Sequence, residues 1–175
     1  MNIALFGFMG VGKSEVGRLI AQRLGLTFVD LDDMVMNRAG KSIAAIFEED
    51  GETRFRELEM AITEEVSARS GQVIACGGGT VLNSENLKNI RKNSVMILLT
   101  ADPETILKRI ERDGDSRPLL KVPNRLERIR TLFSVRNSRY LEAADMVVET
   151  SHRMSEEVAE DILLRLREVT RLYES

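Results

Sequence analysis

The residues best suited to chemistry form a glycine-rich run, Gly7-Phe8-Met9-Gly10-Val11-Gly12-Lys13-Ser14, directly after an apolar stretch from Asn2 to Phe6. Its spacing, Gly, four residues, Gly, Lys and Ser, is that of a phosphate-binding P-loop. Glycines let the backbone curl until successive N–H groups point at phosphate oxygens, and the helix that follows adds the positive end of its dipole. Lys13 is then placed for the β- and γ-phosphates, and the Ser14 hydroxyl for Mg²⁺. The alternative is a plain glycine turn before a helix. The pattern arises by chance in about 0.6% of chains of this length, so nucleotide binding is the preferred reading.

Three further groups carry candidate chemistry, two at the ends of apolar runs and one on a helical stretch. Asp30-Leu31-Asp32-Asp33 puts Asp30 and Asp32 on one face of an extended segment beside the P-loop, where two carboxylates can hold Mg²⁺ through water and orient or deprotonate a hydroxyl. Helix capping competes with that role, most of all for Asp33. Arg56 and Glu59 are three residues apart on a helical pattern, so the carboxylate can fix a guanidinium whose planar fork suits a substrate carboxylate. An exposed surface pair has the same spacing. Cys76-Gly77-Gly78-Gly79-Thr80 exposes consecutive backbone N–H groups, more glycine than a tight turn needs.

These groups need a scaffold that brings strand ends to one edge, and the hydrophobic pattern supplies it. Short apolar runs at Asn2 to Phe6, Thr27 to Asp30, Val73 to Cys76, Val95 to Thr100 and Met146 to Glu149 alternate with stretches of helical period. The expectation is an α/β fold with a five-stranded parallel sheet between helices. Val16, Leu19, Ile20 and Leu24 predict a helix from Lys13 to Gly25, and Phe55, Leu58, Ile62 and Val66 predict another ending before Gly71. Asp102-Pro103-Glu104 reads as a capped helix start, and Val158, Ile162, Leu166 and Val169 as a C-terminal helix. Residues 113–123 carry two prolines, a glycine and four charged residues without period, which predicts a mobile loop.

With 175 residues, 43% hydrophobic and 30% charged, the chain is expected to form one domain around one core. No apolar run approaches the roughly 20 residues of a membrane span. A single cysteine and an opening that runs straight into a strand point to a cytoplasmic protein. The net charge of −3 argues against general nucleic-acid affinity, yet ten basic and four acidic residues lie between Lys108 and Arg139. That cluster suits a compact polyanion or forms a solvated helix face. No Asn-Lys-x-Asp guanine reader occurs, which disfavours a regulatory GTPase.

Together, Gly7 to Ser14, Asp30-x-Asp32, Phe55-Arg56 with Glu59, Gly77-Gly78-Gly79, Arg117-Pro118-Leu119-Leu120 and Arg136 resemble the shikimate kinase family across nearly the whole chain. Gly40-Lys41-Ser42-Ile43 and Ile46-Phe47 before Gly51-Glu52 extend that resemblance. It implies a three-layer P-loop NTPase fold, an acceptor-binding segment at about 32–60, a lid at about 112–124, and Mg²⁺-dependent transfer from ATP to the 3-hydroxyl of shikimate. It further implies that Gly10, Val11, Gly12, Lys13, Ser14, Glu15, Arg117 and Arg153 bind ATP, and that Asp32, Arg56, Gly78 and Arg136 bind shikimate. Lys13, Asp32 and Arg117 would be catalytic, while Ser14 and, through water, Asp30 would hold the metal. Arg109 is a further nucleotide candidate, although its spacing to Arg117 is one residue longer than the family's. A monomer is the family expectation.

Two other readings compete. Another P-loop small-molecule kinase, acting on gluconate or a nucleoside monophosphate, would share the phosphate machinery and differ at the acceptor. A silent nucleotide- or RNA-binding module would use the basic segment, but RNA binding predicts interleaved aromatics and residues 108–139 hold only Phe133. His152 is expected at the surface or the adenine edge, Cys76 in the core, and Met9 and Met34 as packing along the site.

Overall fold

The computed structural model describes residues 1–114 and 118–174. Five parallel strands form the sheet: β1 (Asn2–Phe6), β2 (Thr27–Asp30), β3 (Gln72–Ala75), β4 (Ser94–Thr100) and β5 (Met146–Glu149). Their order is β2-β3-β1-β4-β5, with Ala4 paired to Ile74 on one side and to Met96 on the other. Every residue of β1 is buried, which is why that strand reads as a continuous apolar run rather than an alternating one.

The α-helices among the described residues are α1 (Lys13–Leu24), α2 (Leu31–Ala39), α3 (Ile43–Ala45), α4 (Gly51–Ser67), α5 (Ser84–Arg91), α6 (Pro103–Arg112), α7 (Arg125–Ala143) and α8 (Ser155–Glu174). The chain leaves β1 outward to β2 and then works back across the sheet. Right-handed crossovers therefore put α1 on one face, where it packs with α8, and α4, α5 and α7 on the other. The reversal at β1 opens a crevice at the carboxyl ends of the strands, where ligands bind in sheets of this kind. The core runs through both interfaces, with Leu5, Phe6, Ile20, Ile62, Ile97 and Ile162 buried.

Several boundaries differ from the sequence reading. Asp30, rather than Asp32 or Asp33, caps α2, accepting from the N–H of Asp32 at 3.0 Å and of Asp33 at 3.4 Å. The chain thus turns from strand to helix without an extended linker, and Asp32 sits on the first helical turn instead of sharing an extended face with Asp30. Strands β3 and β4 each begin one residue earlier than their apolar runs suggest, and α4 starts at Gly51, ahead of its first core residue Phe55. Between α3 and α4 runs a π-helical turn, Ile46–Asp50, which no hydrophobic period announces. Within the expected loop 113–123, residues 118–120 take a regular turn. Pro118–Leu120 forms a 3₁₀ turn, Leu120 is buried, and Arg128 Nε donates to the Leu119 carbonyl at 3.3 Å. The caps at Gly25 and Asp102 stand as read, with Asp102 accepting from Thr105 N–H at 2.7 Å.

Candidate active site

The loop after β1 passes into α1 through Gly12, whose φ of 96° favours glycine. Lys13 folds back over this loop, donating from Nζ to the carbonyls of Gly7 at 2.9 Å and Phe8 at 2.8 Å. A buried threonine at the end of β5 braces the same loop from beneath. Thr150 Oγ1 lies 3.0 Å from the Val11 carbonyl and 3.1 Å from that of Thr100, and it accepts from Arg109 Nη1 at 3.0 Å. Arg109 also donates to the Thr150 carbonyl at 2.6 Å, which ties α6 to the P-loop.

Above this loop opens a cavity of about 570 Å³ lined by Gly10 to Val16, with Arg109, Arg112 and Arg153 at its wall. Arg153 is held there by Asp161, at 3.2 Å, and by the Glu149 carbonyl, at 3.0 Å. The size and the convergence of backbone N–H groups, a lysine and arginines suit a nucleoside polyphosphate.

A second cavity, about 420 Å³, lies between α2, α4, the loop after β3, and α7. Its apolar wall includes Met9, Met36, Phe47 and Phe55, the last two with ring centroids 4.9 Å apart. Its ionisable lining comprises the carboxyl groups of Asp30, Asp32, Asp33 and Glu59 and the guanidinium groups of Arg56 and Arg136. Glu59, 2% exposed, holds Arg56 by both oxygens, at 3.0 and 2.9 Å from Nη1, and accepts from the Thr80 hydroxyl at 3.3 Å. Burial pushes the Glu59 carboxyl above its ordinary range, and the Arg56 guanidinium opposes that shift. Arg136 lies over the Phe8 ring, 5.9 Å from its centroid.

Two of the three glycines after β3, Gly77 and Gly79, have a steric reason as well as a backbone one. A Cβ on Gly79 would stand 2.5 Å from Arg56 Nη1, and one on Gly77 only 2.8 Å from Asp32 Oδ1. The loop must be side-chain-free for the carboxylate and the guanidinium to flank it.

The two cavities share Ser14, Asp30, Asp32 and Gly78, so their common boundary is the point at which a terminal phosphate and an acceptor would meet. Ser14 Oγ donates to Asp30 Oδ2 at 2.5 Å there, while Asp30 Oδ1 caps α2. Two hard oxygens at the foot of a phosphate cradle fit Mg²⁺, which keeps most of its waters and takes one or two protein ligands beside phosphate. Among the described residues no group of three or more His, Cys, Asp or Glu side chains could hold a metal ion, so the fit relies on the nucleotide for further ligands.

The sequence-derived residues divide accordingly. Gly10, Val11, Gly12, Lys13, Glu15 and Arg153 line the first cavity, Arg56 and Arg136 the second, and Ser14, Asp30, Asp32 and Gly78 both. Arg117 lies outside the described residues. Met9 lines the second cavity, but Met34 packs against the core and Met36, two residues on, takes the lining position. Cys76 is buried, and desolvation pushes its thiol up to about 12, as befits a core residue. His152 is exposed, with Nε2 3.6 Å from Asp102. The basic segment does not act as one patch. Arg130 pairs with Glu104, Lys121 with Glu48 at 2.8 Å, and Arg139 donates to the Leu82 carbonyl, leaving Arg109, Arg112 and Arg136 among the described residues on the cavity walls. Thr150 and Tyr140 carry no sequence signal beyond hydrophobic context, and both prove to be tied to the site's loops.

A profile of the family described as shikimate kinase matches residues 9–167. The shikimate kinase of Caldanaerobacter subterraneus subsp. tengcongensis is 46% identical over 162 residues, 93% of this chain and 94% of that protein. Among solved structures, shikimate kinase from Acinetobacter baumannii in complex with shikimate superposes with a TM-score of 0.91 at 35% identity, covering 95% of this chain and 93% of that one. Shikimate kinase from Aquifex aeolicus gives 0.83 at 38% identity, covering 97% and 98%. The likeness extends from the P-loop through α7 to α8, and with the shared strand ends already carrying the motifs, this chain belongs to the shikimate kinase family.

Proposed function

We propose that the chain transfers the γ-phosphoryl group of ATP to the 3-hydroxyl of shikimate, giving shikimate 3-phosphate and ADP on the route to chorismate and the aromatic amino acids. The observation that carries this reading is the shared boundary of the two cavities at Ser14, Asp30, Asp32 and Gly78. Phosphoryl transfer asks chiefly for positioning and for stabilisation of charge spread over the phosphoryl oxygens. In this reading the P-loop N–H groups and Lys13 hold the β- and γ-phosphates. Asp32 orients the acceptor hydroxyl and takes its proton as the new P–O bond forms and the bond to the ADP oxygen breaks. Arg56, held rigid by Glu59, and Arg136 grip the shikimate carboxylate, and Gly78 lies along the acceptor.

Ser14 and Asp30 are the residues we assign to Mg²⁺, which when bound neutralises charge on the β- and γ-phosphate oxygens. Arg117 is assigned to a lid at about 112–124 that closes over the transferring phosphate and excludes water. The acceptor-binding segment is residues 32–60, within a single domain of residues 1–175. We place the enzyme in the cytoplasm as a monomer; among the described residues no helix is long and apolar enough to cross a membrane.

The test is ADP release by the purified protein with Mg²⁺-ATP, comparing shikimate, gluconate, a nucleoside monophosphate mixture and no acceptor. Release with shikimate alone is expected. Release with another acceptor and none with shikimate would retain the phosphate machinery and overturn the acceptor assignment.

A further inference from the structure

We propose that Tyr140 is a positioning residue for the acceptor site, holding the triglycine loop in its binding shape through a hydrogen bond to the Gly78 carbonyl; the inference rests on the site reading above.

The need for such a residue follows from the loop's own sterics. Gly77 and Gly79 have no room for a Cβ, because Asp32 and Arg56 occupy the space where one would stand. A run of three glycines has more backbone freedom than any other tripeptide, so the feature that admits the two charged side chains also removes the loop's stiffness. The Gly77 and Gly79 carbonyls accept from the N–H groups of Thr80 and Leu82, each at 3.1 Å, so it is the Gly78 carbonyl between them that is held from outside the loop. Tyr140 Oη donates to the Gly78 carbonyl from α7. Because the peptide unit is planar, holding that carbonyl toward α7 also holds the Gly79 N–H on the opposite edge.

The anchor is itself fixed. Tyr140 is 1% exposed and packs edge-on against Phe6 of the central strand, with ring centroids 6.1 Å apart. Burial pushes its phenol above the ordinary range, which keeps it protonated and able to donate. Arg136 stands four residues earlier on the same helix face, and its guanidinium is near enough to counter that shift in part. One face of α7 therefore delivers an arginine to the acceptor cavity and the tyrosine that sets the loop opposite it. Arg136 Nη1 is 3.6 Å from where a Gly78 Cβ would lie.

The test compares Tyr140→Phe, which keeps the ring and removes the hydroxyl, with Phe6→Leu, which disturbs the packing of the ring and leaves the hydroxyl. Steady-state constants for shikimate and for ATP are measured beside thermal stability. Tyr140→Phe is expected to raise the shikimate KM about three- to tenfold, the scale of one hydrogen bond, with the ATP KM within about twofold of wild type. Phe6→Leu is expected to lower the melting temperature and leave the shikimate KM near wild type. An unchanged shikimate KM in Tyr140→Phe, or an equal rise in both variants or for both substrates, overturns the proposal while the wild type's shikimate turnover upholds the site reading. A wild type without shikimate-dependent turnover overturns both.

Discussion

The two cavities that meet at Asp32 are built on opposite principles. The nucleotide side is made of backbone. Gly10 to Ser14 are contiguous, their geometry is set by one turn and one helix start, and the buried Thr150 braces the Val11 carbonyl. The side we propose for the acceptor is made of side chains drawn from α2, α4 and α7 around the glycine loop after β3, with partners that fix them: Glu59 holds Arg56, Phe8 lies beneath Arg136, and Tyr140 holds the Gly78 carbonyl. Phosphate is common to all substrates of such enzymes, so a rigid main-chain cradle serves it. The acceptor is what distinguishes one enzyme from the next, and side chains on separate elements can change without disturbing the cradle.

That contrast breaks most visibly where the chemistry is. Lys13→Met and Asp32→Asn should each lower kcat by about a hundredfold or more with an unchanged circular dichroism spectrum. A variant retaining near-normal turnover would remove that residue from the reaction. Next in size, Arg56→Lys should raise the shikimate KM about tenfold and leave the ATP KM alone, because an ammonium cannot reproduce the planar two-point grip. Equal effects on both constants would mean that the cavities are not energetically separate.

Gly79→Ala sharpens the same division. Its Cβ would displace the Arg56 guanidinium from Glu59, so a rise in shikimate KM of about three- to tenfold is expected, again without change for ATP. Unaltered kinetics would show that Arg56 moves aside without consequence. The smallest effect lies outside both cavities. Asp102→Ala should cost about 1 kcal/mol by uncapping α6. The Thr105 N–H bond, with help from Ser151, lowers the Asp102 carboxyl to about 2 from its ordinary 3.8. A lowered carboxyl stabilises the fold above its unfolded value, so the deficit of Asp102→Ala should be full above about pH 3.8 and shrink as pH falls through about 2, read by chemical denaturation. A deficit independent of pH would deny the cap its charge.

The backbone half of the molecule was the legible half. A P-loop announces itself because strand, glycines, lysine and helix are neighbours in sequence, and the strand runs were apolar because both sheet faces are covered. Asp32, Arg56, Gly78 and Arg136 were reached as a set only through the family resemblance, since nothing local links residues on four separate elements. The Asp30 cap was misplaced by two or three residues because Asp30, Asp32 and Asp33 are all good cap types and only the abrupt end of β2 chooses between them. Tyr140 and Thr150 stayed silent, for a tyrosine or threonine in apolar surroundings looks like core until its hydroxyl's partner is known. The charge cluster at 108–139 overstated the site, because Glu48, Glu104 and the Leu82 carbonyl, distant in sequence, take up much of it.

The most direct test of the meeting point is to follow phosphorus and proton NMR of a reaction containing the protein, Mg²⁺-ATP and shikimate. The expected result is a phosphomonoester resonance coupled to the shikimate proton at the 3-position, growing at the same rate as ADP. Inorganic phosphate growing in its place, with shikimate unaltered, would contradict the account, since the terminal phosphate would then be reaching water rather than the hydroxyl held beside Asp32.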